Sequence, residues 1–403
     1  GHIIAHMTLL MGNLVTVKVL LFANTDWYLF NFRRSLALAL RDAGYEVLLV
    51  SPAGPYGPRL TQMGLRWLPA PMKRRSLNPW RELALIFWLR RLLIEERVEL
   101  VHGFTIKNAI YGSLAARLAG VQARINAVAG MGYVFSSDDL KARLLRPIVR
   151  ALLRLALKGP DARLILQNPD DVELFRRTGL ATPEGIRLIL GSGVDCNRFS
   201  PVEQARERTS GLKVLLPARL LWDKGIAEFV EAARQLKNTG RNIDFLLAGE
   251  PDKGNPAAVP EEQVAGWQHD GLLQWLGHVE DMPGLYRTVD LVVLPSYREG
   301  LPKGLIEACA CGLPIITTDV PGCREVVANG ENGLLIPIKA PGALADAIAM
   351  LDDNVDLRVH MGANARKKAL AEFDERIILQ QTLSVYSELL RRGRHHLKSS
   401  NEQ

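Results

Sequence analysis

Short runs of β-branched and leucine-rich residues alternate with longer amphipathic stretches along almost the whole chain, and that rhythm leaves few folds open. The first half predicts strand 17–22, helix 31–43, strand 46–50, helix 80–96 and strand 100–102. Helix 107–118, strand 123–127, helix 139–158 and strand 162–166 follow. The pattern restarts after residue 211 with strand 212–217, helix 226–237 and strands 243–248, 272–276 and 291–294. Helix 303–311, strand 314–318 and a helical tail complete it. Strands separated by helix-length stretches form parallel sheets covered on both faces. A chain of 403 residues exceeds one ordinary core and suits two such units. The expected class is therefore α/β: two doubly wound domains facing each other across a cleft, with ligands at the carboxyl ends of the strands.

The boundaries follow from the gaps in the pattern. Residues 1–14 read as a tag remnant and lead-in, and 15–197 as the N-terminal domain. The polar stretch 198–211 reads as a linker, 212–374 as the C-terminal domain, and 375–403 as a helix crossing back to the first domain, with a polar tail. With 48% hydrophobic and 23% charged residues the chain is globular rather than disordered. Its best apolar run, 83–94, is too short to span a bilayer and is broken by Arg90 and Arg91. No secretory signal precedes it. Cys196, Cys309, Cys311 and Cys323 lack the spacing of a zinc site and suit a reducing cytoplasm. Charge divides the halves. The first 200 residues carry 27 basic and 15 acidic side chains, a net of +12, and the remainder 23 and 28, a net of −5. Two units with different partners are implied.

The chemistry concentrates in REGLPKGLIEACACG, residues 298–312. Glu299 and Glu307 stand eight apart, across a tight loop of Gly300, Leu301, Pro302 and Lys303 that opens a helix. The unpaired N–H groups and dipole of such a helix start favour a diphosphate. Glu299 then accepts hydrogen bonds from sugar hydroxyls and Glu307 from ribose hydroxyls. The alternative has Glu299 capping the helix and Glu307 solvated. Arg219 and Lys224, five apart after strand 212–217, can converge on one pyrophosphate and stabilise the charge that develops as it leaves. Their alternative is ordinary surface charge.

On these residues the chain resembles the retaining glycosyltransferases of the GT-B fold, whose two domains are Rossmann-like, and family 4 among them. The resemblance runs through Arg219, Lys224, AGE at 248–250, LGHVEDMPGLY at 276–286, Glu299 and Glu307, TTDVPGCREVV at 317–327 and NGLLIP at 332–337. WYLFNFRRSLALAL (27–40), HGFTIKNAIYGSLAARLAG (102–120), GMGYVF (130–135), LQNPDD (166–171) and GSGVDCNRF (191–199) narrow it. They resemble bacterial enzymes that extend polyprenyl-diphosphate-linked oligosaccharides for surface glycans or protein glycosylation.

The resemblance implies that Arg219 and Lys224 hold the donor diphosphate and Glu307 the ribose. Glu299 and the amides of Gly300–Lys303 contact the hexose, and Gly277, His278 and Val279 lie near the base, uracil. It implies a UDP-sugar donor such as UDP-GlcNAc, UDP-GalNAc or a relative. Asn24, Thr25, His102 and Lys107 fall on the acceptor side. Much of the family has a histidine where this chain has Phe104, and the family's paired glycines are missing at 24–25.

No carboxylate is placed to form a covalent intermediate, so the departing diphosphate oxygen is expected to take the acceptor proton. No Asp-x-Asp pair stands at a strand end, so no cofactor and no metal are expected, the cations and helix start replacing them. Arg143, Arg146, Arg150, Arg154 and Lys158 form a basic stripe on helix 139–158, opposite Leu145, Ile148, Val149 and Leu152. Lys73, Arg74, Arg75, Arg81, Arg90 and Arg91 interleave with Trp80 and Trp88. The expected partner of both is an anionic membrane surface, which puts the chain on the inner face of the cytoplasmic membrane. No nucleic-acid-binding motif accompanies the charge. Two competitors remain: a nucleotide-sugar epimerase of the same shape, which needs no acceptor, and a non-catalytic nucleotide-sugar-binding subunit, which gives no product.

Overall fold

A computed structural model describes residues 16–73, 78–129, 140–203 and 211–400, without the side chains of Ala142 and of 392–400. The lead-in, Arg74, Arg75, GMGYVF at 130–135, residues 204–210 of the linker and the last three residues lie outside the described residues. The chain divides into two units. The first comprises 1–166, 172–187 and 381–403, and the second 167–171 and 188–380.

In the first unit seven parallel strands lie in the order β3-β2-β1-β4-β5-β6-β7. They are β1 (Lys18–Phe22), β2 (Glu46–Ser51), β3 (Arg66–Pro69), β4 (Leu100–Phe104), β5 (Ala123–Ala127), β6 (Ala162–Leu166) and β7 (Ile186–Leu188). The middle strands are buried almost throughout because helices cover both of their faces. Leu85, Ile86 and Leu89 of helix Pro79–Glu95 pack with Ala115 and Ala116 of helix Ile106–Ala119 over Leu20, Phe22 and Val101. Leu153 and Ala156 of helix Leu140–Leu157 close the neighbouring part over Leu164 and Leu166.

One expectation is corrected on that last helix. Ile148 does not join Leu145, Val149 and Leu152 on the inner side but stands 58% exposed. At 100° per residue the apolar arc of this helix spans about 200°, and the core of the unit covers only part of it. Leu140, Leu144, Ile148 and Leu155 are left outside, beside the exposed Arg143, Arg150 and Arg154. Helix Pro79–Glu95 repeats the arrangement with Trp80, Leu83, Phe87 and Ile94 exposed at helical spacing, beside Arg81 and Arg91.

The second unit has six parallel strands in the order β10-β9-β8-β11-β12-β13. They are β8 (Leu212–Pro217), β9 (Ile243–Ala248), β10 (Gln274–Gly277), β11 (Leu291–Leu294), β12 (Ile315–Thr318) and β13 (Gly333–Ile336). Its single core takes in Val194 and Phe199, so residues 188–200 belong with this unit. In both sheets the order reverses beside the first strand, between β1 and β4 and between β8 and β11. Doubly wound sheets bind ligands at such a reversal.

Candidate active site

Two loops meet at the carboxyl end of the β8–β11 pair. After β8 the chain makes the short 3-10 turn Trp222–Lys224 and ends it at Gly225, whose φ is +77°. A side chain at Gly225 would also run into the Pro295 carbonyl, so glycine is what lets the two loops touch. The contact delivers Lys224 to Glu299: its Nζ donates to the Glu299 carboxylate at 2.5 Å, with side-chain exposures of only 17% and 10%. Ser296 donates its hydroxyl to the same Glu299 oxygen at 2.7 Å. Tyr297 N donates to the Asp223 carbonyl at 2.8 Å.

Past Glu299 the loop turns into helix Lys303–Ala310. Its N-cap is Pro302, whose side chain has no acceptor to offer the first N–H groups of the helix. Glu299 therefore is not its cap. The helix is held from below by Tyr286, fully buried, whose hydroxyl donates to the Gly304 carbonyl at 2.8 Å. Asn168, also fully buried, donates to the Gly300 carbonyl at 2.9 Å. Gly322 lies so close to the loop that a Cβ there would meet the Gly300 and Glu299 carbonyls at 2.6 and 2.7 Å. Leu301 packs against Gly191. A loop fixed this way presents its amides without reorganising, which is what electrostatic preorganisation requires.

Glu307 sits one turn along the same helix, half-buried, with its carboxyl pushed up to about 7. Burial is the main cause, and the more distant charges of Lys303 and Arg198 only partly offset it. Arg219 goes elsewhere: it is exposed and reaches Asp252 at 3.5 Å, rather than sharing the Lys224–Glu299 pair. Gly277 ends β10 with a φ of +67°, His278 is exposed, and Val279 packs partly on the core.

On the first unit, Thr25 accepts from the Tyr28 amide at 3.0 Å and so caps a short helical turn, with Asn24 half-buried beside it. Lys107 donates to the Lys73 carbonyl at 3.1 Å and lies 3.4 Å from Glu82. His102 is fully enclosed, its Nδ1 2.5 Å from the Tyr386 hydroxyl and its Nε2 without a partner. Burial, and then the charge of Arg33, hold its pKa well below the ordinary value, so the ring is neutral. Ser296, Asn168 and Tyr286 were not singled out from the sequence. Asn168 and Tyr286 fall within LQNPDD and LGHVEDMPGLY, and Ser296 ends an apolar strand three residues before Glu299, the signals that could have found them.

The match to known proteins agrees with this geometry. Residues 31–189 match the Glycosyl transferase 4-like domain and 201–368 match Glycosyl transferases group 1, and the chain belongs to this glycosyltransferase family. Over 373 residues it is 31% identical to the N,N'-diacetylbacillosaminyl-diphospho-undecaprenol alpha-1,3-N-acetylgalactosaminyltransferase of Campylobacter jejuni, covering 90% of this chain and 96% of that one. It is 28% identical over 310 residues to the UDP-Gal:alpha-D-GlcNAc-diphosphoundecaprenol alpha-1,3-galactosyltransferase of Escherichia coli, covering 74% and 78%. Sucrose-phosphate synthase from Thermosynechococcus elongatus superposes with a TM-score of 0.77 at 21% identity, over 93% of this chain and 100% of that one. The fold is GT-B.

Proposed function

We propose that this glycosyltransferase moves a hexose or N-acetylhexosamine, with retention, from a UDP-sugar to a polyprenyl-diphosphate-linked saccharide. The observation that carries the reading is the Lys224–Glu299 pair beside the uncapped start of helix Lys303–Ala310, at the β8–β11 reversal. A diphosphate fits against that helix start and Lys224. Arg219, freed from its exposed contact with Asp252, adds a second cation. Glu299 is left to accept from the sugar hydroxyls and Glu307 from the ribose. The relatives' names supply the acceptor class and, for one of them, a UDP-linked donor.

In the step itself the bond from the anomeric carbon to the diphosphate breaks, and the acceptor oxygen bonds that carbon from the same face. The acceptor proton passes to the leaving diphosphate, whose growing charge Lys224 and the helix amides stabilise. Such groups supply the positive charge without a metal ion. The outward apolar arcs of helices Leu140–Leu157 and Pro79–Glu95, rimmed by arginines, support a docking face for anionic lipid, with the chain working at the inner surface of the cytoplasmic membrane. This would serve assembly of a bacterial surface glycan or glycoprotein oligosaccharide.

The test is a panel of UDP-sugars offered with a short polyprenyl-diphosphate saccharide, read by mass spectrometry with and without excess chelator. Product that needs the acceptor and keeps its rate in chelator is expected. An acceptor-independent change of the donor would point to an epimerase, and recovery only with added magnesium or manganese would refute the charge assignment. Lys224→Ala is expected to cut kcat about 100- to 1,000-fold, the loss usual for one preorganised donor.

A further inference from the structure

At the carboxyl end of β4 the first unit encloses a cation that no described carboxylate pairs with. Arg33 ends the π-helical turn Leu29–Arg33 and is 7% exposed. Its guanidinium carbon lies 4.6 Å from the centre of the Phe104 ring and 5.8 Å from that of Tyr28, and its Nε donates to the Tyr28 hydroxyl at 3.1 Å. Among the described residues it makes no ion pair, and the two outer nitrogens of its fork have no hydrogen-bond partner. The acid on the preceding turn, Asp26, is taken up by the amides of Trp27, Tyr56 and Gly57. Its other ionisable neighbours, His102 and Tyr386, are neutral and sealed.

A nearly enclosed guanidinium without a counter-ion gives up part of its hydration, while its two outer nitrogens, unpartnered but not fully buried, stay open to an incoming ligand. Stacking on two rings recovers only part of that cost. The same ring is flanked by a second group that seeks negative charge. Thr105, the residue after Phe104, opens helix Ile106–Ala119 without a side-chain cap and is held at φ +77°. β1 and β4, which lead into these two features, are the strands between which the sheet order reverses.

We propose that Arg33 and the start of helix Ile106–Ala119 form an anion subsite that holds a phosphate of the lipid-linked acceptor diphosphate. The planar fork matches two phosphate oxygens at once, and the aromatic floor keeps the fork flat. The ligand's identity rests on the proposed function, but the subsite rests on Arg33 itself.

Calorimetric titration with farnesyl diphosphate tests it, with UDP kept saturating so that the donor phosphate site is filled. Wild type is expected to bind farnesyl diphosphate well above both farnesol and inorganic pyrophosphate. Arg33→Gln should weaken that binding about 10- to 100-fold, as for a lost charge-assisted hydrogen bond, with UDP affinity intact. Arg33→Lys, which keeps charge but not the fork, should fall between. Unliganded Arg33→Gln should melt close to wild type, because among the described residues no ion pair is lost with the charge. Undiminished binding in Arg33→Gln overturns the subsite, and so does a variant that fails to fold, which would make Arg33 a structural cation. Pyrophosphate binding as tightly as farnesyl diphosphate overturns the lipid assignment. The two readings separate cleanly: Arg33-dependent binding with no sugar transfer in wild type leaves the subsite standing and removes the proposed reaction.

Discussion

Glu307 ties the chemistry of the site to pH. Its carboxyl is raised to about 7 by burial, so folding favours the protonated form. The stabilisation is complete below the unfolded value near 4.5 and is lost as pH rises through 7, at most about 3 kcal/mol in all. Urea denaturation from pH 5 to 8 should therefore show wild type losing stability relative to Glu307→Gln. The proposed ribose contact runs the other way, since a carboxylate accepts hydroxyl hydrogen bonds better than a carboxylic acid does. Uridine, which has no titrating phosphate, should bind more tightly as pH rises through 7, and in Glu307→Gln that slope should vanish. An NMR titration with the same slope in both proteins would remove Glu307 from the ribose. Thr105 offers a second residue-scale test. A β-branched residue at φ +77° stores about 1–3 kcal/mol, whereas glycine adds about 0.4–1 kcal/mol of unfolded-state freedom. Thr105→Gly should thus raise the stability of the chain by about 1 kcal/mol, and a lower melting temperature would contradict the strain. Lys224, Glu299 and Glu307 were legible because their spacing is a pattern. Arg33 was not, because one arginine in an amphipathic stretch looks like any solvated cation until the fold encloses it.

Among the elements, helix Glu375–Ser400 carries an ion-pair cluster of the first unit. Glu388 takes both Arg163 and Arg187, at 2.8 and 2.6 Å, and Arg163 is only 3% exposed. Burial works against the Glu388 carboxylate, yet the two arginines hold its pKa below the ordinary value. Glu388→Gln strands one buried cation, which keeps the Pro160 and Ala162 carbonyls as acceptors. A loss of about 1–3 kcal/mol in urea denaturation is expected, below the figure for a wholly orphaned charge. Helix Leu140–Leu157 makes the opposite kind of prediction, one about its surroundings. Leu144 and Ile148 are already 68% and 58% exposed, so Leu144→Ser with Ile148→Ser should leave the fold intact. If these side chains enter a bilayer, each contributes about 1 kcal/mol, and flotation with phosphatidylglycerol vesicles should weaken about 30-fold. Equal flotation of both proteins would leave only charge to explain any binding. The long elements of both sheets were legible in their hydrophobic rhythm, several to the residue. β3, β7 and β13 were not, because strands of three or four residues near a sheet edge have too little alternation to stand out.

At the scale of the whole molecule, the charge split has an instructive relation to the ligands. The acidic half, net −5, carries the proposed determinants for the anionic donor, while the basic half, net +12, carries the outward apolar arcs. Donor recognition therefore cannot rest on net charge. In the proposed function it rests on one lysine and one helix start, whose field acts over a few ångströms, while the basic half acts at longer range on the proposed lipid surface. Lys224, Glu299, Glu307, Asn168 and Gly322 all belong to the second unit, even though Asn168 arrives from the 167–171 segment within the first half of the chain. UDP at 100 times its Kd should stabilise the state it binds by about 2.7 kcal/mol. Hydrogen exchange should locate that gain: slowed amides at 167–171, 217–225 and 299–307, with strands β1, β4 and β5 exchanging as before. Equal protection in those first-unit strands would mean that the nucleotide is not held where the lysine, the carboxylates and the uncapped helix start are gathered.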